Sequence, residues 1–592
     1  LIRITGGDAG RVLFPYVEIM LRSILIGQWI CANVLEGSRG WRMRFSGSLR
    51  QPHWTRSSSS VNRWGGTLRC FGGRLAWHGL VPVTIRPQEK SMRGTCSRHS
   101  ALTAVVLAAL VLGSADASGA RGVCDSLDLD DLDEFGRAVG TAGDLDGDGI
   151  AELAIGAVGD GDGGQGAGAV YLLFFDNSFA LRRVQKISNL CGGLSGAENS
   201  GGVLDPGDAF GIAVSTIGDF DGDGTPDLGV GAWGDDDGGE PAMDPATGAV
   251  WLLLMNPDGT VKSRSKISDT QGGLSGAGNP GGVLENLDLF GGHVLSLGDL
   301  DQDGVIDLAV GAHRSDVPDE ETGRNAGRIW VLFMNSDGTV RATQRISRLE
   351  GGVRPGVLDR GDRLGRAIAN MGDFDGDGVV DIAVATHRDD DNGEDRGATH
   401  LFFLNRDGTV KARRKISDAI GRLTCTQPCR DEPFNPGGLL DDNDQFGRPA
   451  NLGDIDGDGV PDLAVGAHRD DDGGGGTLFD ERGSVYVLGL TRARGAVKFR
   501  RKISEISAGL TGEGNPGGVL DKFDVFGRSL IAAGDMDGDG RTELAVGASL
   551  DDDGGMDRGA VYLLKIDATG FVLGGIKVSS LGVVPLPGAG LP

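Results

Sequence analysis

Asp454-Ile-Asp-Gly-Asp-Gly-Val-Pro-Asp462-Leu-Ala-Val-Gly-Ala467 carries carboxylates at its first, third, fifth and ninth positions and then turns abruptly apolar. Hard oxygen donors at that spacing converge on one point, and a divalent cation such as Ca²⁺ neutralises such a cluster best. The glycine at position six allows the sharp turn this needs. The pattern occurs six times in the chain. The other copies run Asp144/Asp146/Asp148/Glu152, Asp219/Asp221/Asp223/Asp227, Asp299/Asp301/Asp303/Asp307, Asp373/Asp375/Asp377/Asp381 and Asp535/Asp537/Asp539/Glu543, beside Asp454/Asp456/Asp458/Asp462. One such loop could arise by chance in an acidic, glycine-rich chain, but six in register could not.

An EF-hand would place a bidentate glutamate at position twelve and helices on either side. Position twelve here is Ile155, Val230, Val310, Val384, Val465 or Val546, inside short apolar runs of the Leu-Ala-Val-Gly-Ala kind. Those runs read as buried strands. The loops recur every 75, 80, 74, 81 and 81 residues, a period that suits one four-stranded propeller blade with long connections.

Each unit then reads as four strands. The first starts at Phe135, Phe210, Phe290, Leu364, Phe446 or Phe526, each followed by glycine, and ends at the cation loop. The second is the Leu-Ala-Val-Gly-Ala run. The third is apolar throughout, as in Gly168-Ala-Val-Tyr-Leu-Leu-Phe174, and suits a strand covered on both faces. Asp-Gly turns such as Asp258-Gly259 lead into an alternating, basic fourth strand such as Val261-Lys-Ser-Arg-Ser-Lys-Ile-Ser268. Its charges discourage pairing with other chains, so it belongs at the outer edge. The prediction is an all-β propeller of six four-stranded antiparallel blades, or seven with one the repeats do not reveal. Strand alternation puts the cation loops and Asp-Gly turns on one face. The acidic second-to-third loops (Asp235-Asp-Asp, Asp389-Asp-Asp, Asp470-Asp-Asp, Asp551-Asp-Asp) fall on the other. These read as a solvated, glycine-loosened surface, with a second shell of cations as the alternative.

Composition changes near residue 92. Residues 1–91 hold five of the eight Trp and carry +9, so the rest of the chain carries −27 − 9 = −36. Met92-Arg-Gly-Thr-Cys-Ser-Arg, the apolar run 101–113 and Ala115-Asp-Ala117 together read as a signal peptide over 92–117. The segment 1–91 is then upstream sequence foreign to the native protein, or a disordered basic arm, and 581–592 reads as a flexible tail. Export would place the protein in a secreted, extracellular setting. Cys425 with Cys429 is the favoured disulfide there, and Cys124 with Cys191 a second. The strongly negative chain excludes nucleic-acid binding, and no later segment reads as a membrane span.

The recurring Phe-Gly, cation loop and Gly-Ala elements over residues 124–580 resemble the FG-GAP repeats of the integrin alpha-chain amino-terminal β-propeller. That resemblance implies Ca²⁺ in the hairpin loops of one face, about six ions here, and partner recognition by the other. Integrin alpha chains have seven repeats with loops in only some, whereas all six repeats here carry one. The proline that ends the family's Gly-Ala-Pro is replaced by Val158, Trp233, His313, His468 and Ser549, and copy four reads Ala385-Thr386-His387. Gln302 replaces a loop glycine, and Pro449 interrupts a first strand. The reading is a secreted Ca²⁺-binding module for an extracellular protein or glycan ligand. The alternative is a secreted propeller enzyme, a polysaccharide lyase or hydrolase, although no hydrolase or phosphate-loop motif is present. His313, His387 and His468 share one repeat position and read as metal ligands or as a product of repeat duplication. Arg360-Gly361-Asp362 reads as structural, because Asp362 matches Asp208 and Asp524 in the repeat.

Overall fold

The computed structural model describes residues 44–48, 63–67 and 124–586, except 196–202, 237–245, 275–282, 317–324, 392, 421–438, 472–480, 493–494, 506, 508–509 and 511–518. The chain divides into two units, residues 1–113 and 114–592. In the first, β1 (Arg44–Ser48) pairs antiparallel with β2 (Arg63–Thr67). The signal-peptide segment 92–117 lies outside the described residues, as do Cys425 and Cys429.

The second unit is a six-bladed propeller with no helix among the described residues. Blade one is β3 (Phe135–Gly143), β4 (Glu152–Ala157), β5 (Ala169–Phe175) and β6 (Leu181–Ile187). Blade two is β7 (Phe210–Gly218), β8 (Asp227–Ala232), β9 (Ala249–Met255) and β10 (Val261–Ile267). Blade three is β11 (Phe290–Gly298), β12 (Asp307–Ala312), β13 (Arg328–Met334) and β14 (Val340–Ser347). Blade four is β15 (Ile368–Gly372), β16 (Asp381–Thr386), β17 (Ala398–Leu404) and β18 (Val410–Ser417). Blade five is β19 (Phe446–Gly453), β20 (Asp462–Ala467), β21 (Ser484–Thr491) and β22 (Ala496–Ile503). Blade six is β23 (Ser529–Gly534), β24 (Glu543–Ala548), β25 (Ala560–Ile566), β26 (Val572–Ser579) and β27 (Gly582–Pro585).

Strand order follows chain order in every blade, all antiparallel. The first strands touch their neighbours in a closed cycle around the axis, β23 meeting β3. The core is correspondingly split into six apolar layers, each shared by two successive blades. Val170, Leu172, Val230 and Leu253 belong to one; Leu153, Tyr171, Ala545 and Val561 form the layer that closes the ring. This face-to-face burial of the two inner strands explains why they are apolar on both sides.

Phe-Gly is the joint between blades. Phe135 is fully buried and meets Tyr171 edge-on at 5.6 Å, with the same geometry at Phe290/Trp330, Phe446/Tyr486 and Phe526/Tyr562. Its amide donates to Arg558 O of blade six at 2.9 Å, so the ring closes without a shared strand. Gly136, at φ +86°, lies so close to that neighbour that a Cβ would sit 2.4 Å from Ala560 O. Pro449 is tolerated because β19 pairs only with β20 and its other edge faces the axis. In blades four and six the first strand starts later than expected, at Ile368 and Ser529, while Leu364 and Phe526 still bridge to Gly327 and Gly483.

One further expectation changes and one holds. The segment 581–592 reads from sequence as a flexible tail, yet β27 adds a fifth strand to blade six through pairs such as Val578↔Val583. Its partner β26 carries one lysine, Lys577, where the other outer strands carry several basic residues. An edge so lightly charged accepts another strand. Cys124 and Cys191 are bonded, tying the segment before blade one to the exit of β6, where Lys186 N donates to Cys124 O at 2.8 Å. On the chain-entropy model a link across 67 residues is worth about 4 kcal/mol.

Candidate metal centres

Each cation loop joins the first and second strands and is organised by its own carboxylates. The first aspartate folds back onto loop amides: Asp454 accepts from Gly457 N and Asp458 N at 2.8 and 2.9 Å, and Asp219 from Asp223 N and Gly224 N at 3.0 and 2.9 Å. The glycine at position six has φ between +81° and +92° in all six loops, a region in which a side chain is strained. Gln302 adopts the left-handed conformation of the glycine it replaces, at φ +67°.

These turns bring carboxylate oxygens to within 4.8 Å of one another in Asp144/Asp146/Glu152, Asp219/Asp221/Asp227, Asp373/Asp375/Asp381 and Asp454/Asp456/Asp462. In the loop that holds Gln302, the cluster is instead Asp299/Asp301/Asp303, without Asp307. The blade-six loop keeps the same internal bonds, Asp535 accepting from Gly540 N at 2.9 Å and Asp539 from Arg541 N at 2.9 Å.

The ninth position differs in kind from the other three. Glu152, Asp227, Asp307, Asp381, Asp462 and Glu543 are all buried. Asp227 accepts from Phe220 N at 2.8 Å within the loop and from Met255 N at 2.9 Å at the end of β9, bracing loop to strand. Burial pushes the carboxyls up, Glu152 to about 8, Glu543 to about 7, and Asp307, Asp381 and Asp462 to about 6.

The fifth position meets a base. Lys262 Nζ lies 2.6 Å from Asp221 and 2.5 Å from Asp223. Arg341 lies 2.6 and 2.7 Å from Asp301 and Asp303, and Arg182 3.3 Å from Asp148. Lys411 pairs with Asp375 and Asp377, and Lys498 with Asp456 and Asp458. Each of these bases is the second residue of an outer strand, except Lys498, the third residue of β22. In blade six that position is Leu573, and Lys565 of β25 reaches Asp537 instead.

The basic strand also folds inward at its other end, which corrects the reading of the acidic second-to-third loops. Asp160, Asp235, Asp389, Asp470 and Asp551 are buried, not solvated. Lys186 Nζ lies 2.6 and 2.7 Å from Asp160 and Asp162, and Lys266, Lys415, Lys502 and Lys577 make the same bond in their blades. Blade three alone lacks the pair: Ser315 replaces the aspartate, and Arg345, in the lysine's place, turns to Glu350 at 3.1 Å. Asp362 of the Arg-Gly-Asp sequence is buried and accepts from Asp359 N at 2.7 Å, in keeping with a structural role.

His313, His387 and His468 converge at the axis but face guanidinium groups. His313 and His387 ring centroids are 6.4 Å apart, and burial followed by a guanidinium, Arg366 for His313 and Arg448 for His387 and His468, holds these imidazoles well below their usual pKa. Cationic surroundings do not suit a metal ion.

A family model for the FG-GAP repeat matches residues 135–173, 291–332, 446–488 and 526–564, in blades one, three, five and six. These blades are FG-GAP repeats. Integrin alpha-PS2 of Drosophila melanogaster is 30% identical over 182 residues, 30% of this chain and 12% of the relative. Integrin alpha-4 of Xenopus laevis is 28% identical over 188 residues, 32% of this chain and 15% of the relative. Phosphatidylinositol-glycan-specific phospholipase D of Bos taurus is 29% identical over 178 residues, 30% of this chain and 18% of the relative. The chain thus spans less than a fifth of each relative's own length. No helix among its described residues is long and apolar enough to cross a membrane.

Proposed function

We propose that this FG-GAP propeller works outside the cell, holds Ca²⁺ in about six corner loops, and presents its opposite face to an extracellular protein or glycan. The observation that carries the metal reading is the convergence of carboxylates within 4.8 Å at the same corner of successive blades. Asp144, Asp219, Asp373 and Asp454 supply the position-one ligands, the position-three aspartates (Asp146, Asp221, Asp375 and Asp456) stand beside them, and the buried position-nine acid closes each set. Carboxylates gathered so closely repel one another, and a divalent cation relieves that repulsion. Lys262, Arg341, Lys411 and Lys498 satisfy part of the same charge, so an entering ion displaces or reorients them.

An extracellular site is supported by the signal-peptide pattern over 92–117 and by the Cys124–Cys191 bond, which suits an oxidising compartment. Binding to a protein or glycan follows from likeness to integrin alpha chains, named as such, and rests on the repeats alone. A second reading, an enzyme, draws on the phospholipase relative.

The test is ion stoichiometry by calorimetry and elemental analysis. We expect about six Ca²⁺ per chain in the wild type and one fewer in Asp221→Ala, with no turnover of polysaccharide or glycosyl-phosphoinositide substrates. No Ca²⁺ uptake would end the metal reading; turnover would replace the binding module with the enzyme.

A further inference from the structure

The residue after Phe-Gly, or after Leu364-Gly365 in blade four, is arginine in four of the six blades: Arg137, Arg366, Arg448 and Arg528. It lies within the first three residues of β3 and β19 and just before β15 and β23, at the end remote from the acidic loop, so the four side chains face one another at one end of the axis. Arg137, Arg366 and Arg448 are 7, 5 and 6% exposed. After burial, the other guanidiniums are the leading cause that depresses each of them, and all six pairs among the four repel.

Counter-charge is scarce there. Glu134 lies 3.2 Å from Arg137 Nε, and Glu134 and Glu481 both act on Arg528, while Glu481 pairs with Arg469 at 2.9 Å. No carboxylate among the described residues offsets Arg366 or Arg448. Arg366 Nη1 donates to Gly292 O at 3.0 Å, but Arg448 Nε, Arg528 Nε and Arg137 Nη1 are buried without a hydrogen-bond partner. The Nδ1 atoms of His313, His387 and His468 are equally without one. Trp233 lies under Arg137 at 5.3 Å and Arg366 at 4.8 Å. Such cation–π contacts offset only part of the cost of burying each ion.

A guanidinium does not shed its proton to escape this. It needs an anion. We infer that this end of the channel is a binding site for a tetrahedral oxyanion, a sulfate or phosphate group, gripped by arginine forks from blades one, four, five and six. Planar forks match such oxygens two at a time, and the histidine nitrogens supply further donors at the same level. The site owes nothing to the cation loops, so its fate is separate from that of the Ca²⁺ reading.

The experiment uses full-length, Ca²⁺-loaded protein titrated with sodium sulfate by calorimetry. Thermal denaturation is followed in parallel, with sodium chloride at equal ionic strength as control. We expect one sulfate per chain and a melting temperature that climbs with sulfate concentration. R448M and R366M should each lose at least tenfold in affinity. In sulfate-free buffer they should melt at or above the wild-type temperature, because a like charge has left the cluster. A glucose 6-sulfate arm separates the sources. Tighter binding than free sulfate assigns the site to a group borne on a larger ligand, and equal or weaker binding assigns it to the free ion. No binding heat from the wild type at millimolar sulfate overturns the site, and that measurement stands even if a variant does not fold. So does an equal rise in melting temperature for wild type and both variants, which would mark a general salt effect on burial.

Discussion

The cation loops and the axial channel are built from the same repeat, yet the repeat treats them in opposite ways. At the corners, each blade completes its own acidic cluster, and the six copies stay nearly alike from Asp144 to Glu543. At the axis, six copies of one position share a single space, and they diverge into Arg137, Ile212, Gly292, Arg366, Arg448 and Arg528. A peripheral position is thus used six times, whereas an axial one contributes a sixth of one site. Uniformity at the rim and variety at the centre follow from where a residue falls along its strand.

The largest effect expected from breaking this contrast is at the corners. Each ion present at a hundredfold excess over its dissociation constant stabilises by about 2.7 kcal/mol. Chelation should therefore lower the melting temperature by about 10 °C or more, read by calorimetry with and without Ca²⁺. An unchanged transition would mean that the corners are already satisfied by Lys262, Lys411 and their counterparts.

A middle-sized effect sets blade one against blade three. Lys186→Met strands Asp160 and Asp162 in a buried setting and should cost about 3–5 kcal/mol. Arg345→Met removes an exposed pair with Glu350 and should cost about 1 kcal/mol at most. Equal losses in denaturant midpoint would show that the inward lysine is no more than surface charge.

The smallest effect concerns pH. Burial, followed by Asp235, pushes the Asp208 carboxyl up to about 7, with the hydrogen bond it accepts from Asp205 N and the charge of Lys266 opposing the rise. Unfolded, this group titrates near 4, so the folded chain holds the extra proton between the two values. Its contribution is complete below about pH 4 and is lost as pH rises through about 7. Asp208→Asn should flatten that decline by about 2.5 kcal/mol, measured as unfolding free energy from pH 5 to 8 at saturating Ca²⁺. A steeper decline would reverse the assignment.

The six visible repeats, their strand order and the position of the loops were legible in the sequence because each repeat restates them in contiguous residues, whereas six blades or seven was settled only by closure of the ring. Phe-Gly, the aspartate ladder and the Asp-Gly turn each act within a few residues of themselves. What stayed hidden depends on residues that meet across a loop or across the ring. Lys186 looks like an edge charge until Asp160, on the far side of β5, is seen to receive it. The clue was in blade three, where Ser315 and Arg345 depart together from the aspartate and the lysine of the other copies. The channel arginines were equally visible as a recurrence after Phe-Gly, but convergence at an axis is a property of closure, which no single repeat contains. Cys425 and Cys429 lie outside the described residues, whereas Cys124 reaches Cys191, the second pairing expected, because the entering segment lies against the exit of β6.

The seam between blades six and one is made of Phe135 docking on Arg558 and Gly559, of bonds such as Leu132 N to Met556 O and Arg558 Nε to Asp131, and of the apolar layer beside them, with no strand lent across it among the described residues. Every blade is consequently one unbroken piece of chain. Circular permutation at any inter-blade connection would sever no sheet, and a single tandem copying event could insert a whole wedge into the wheel.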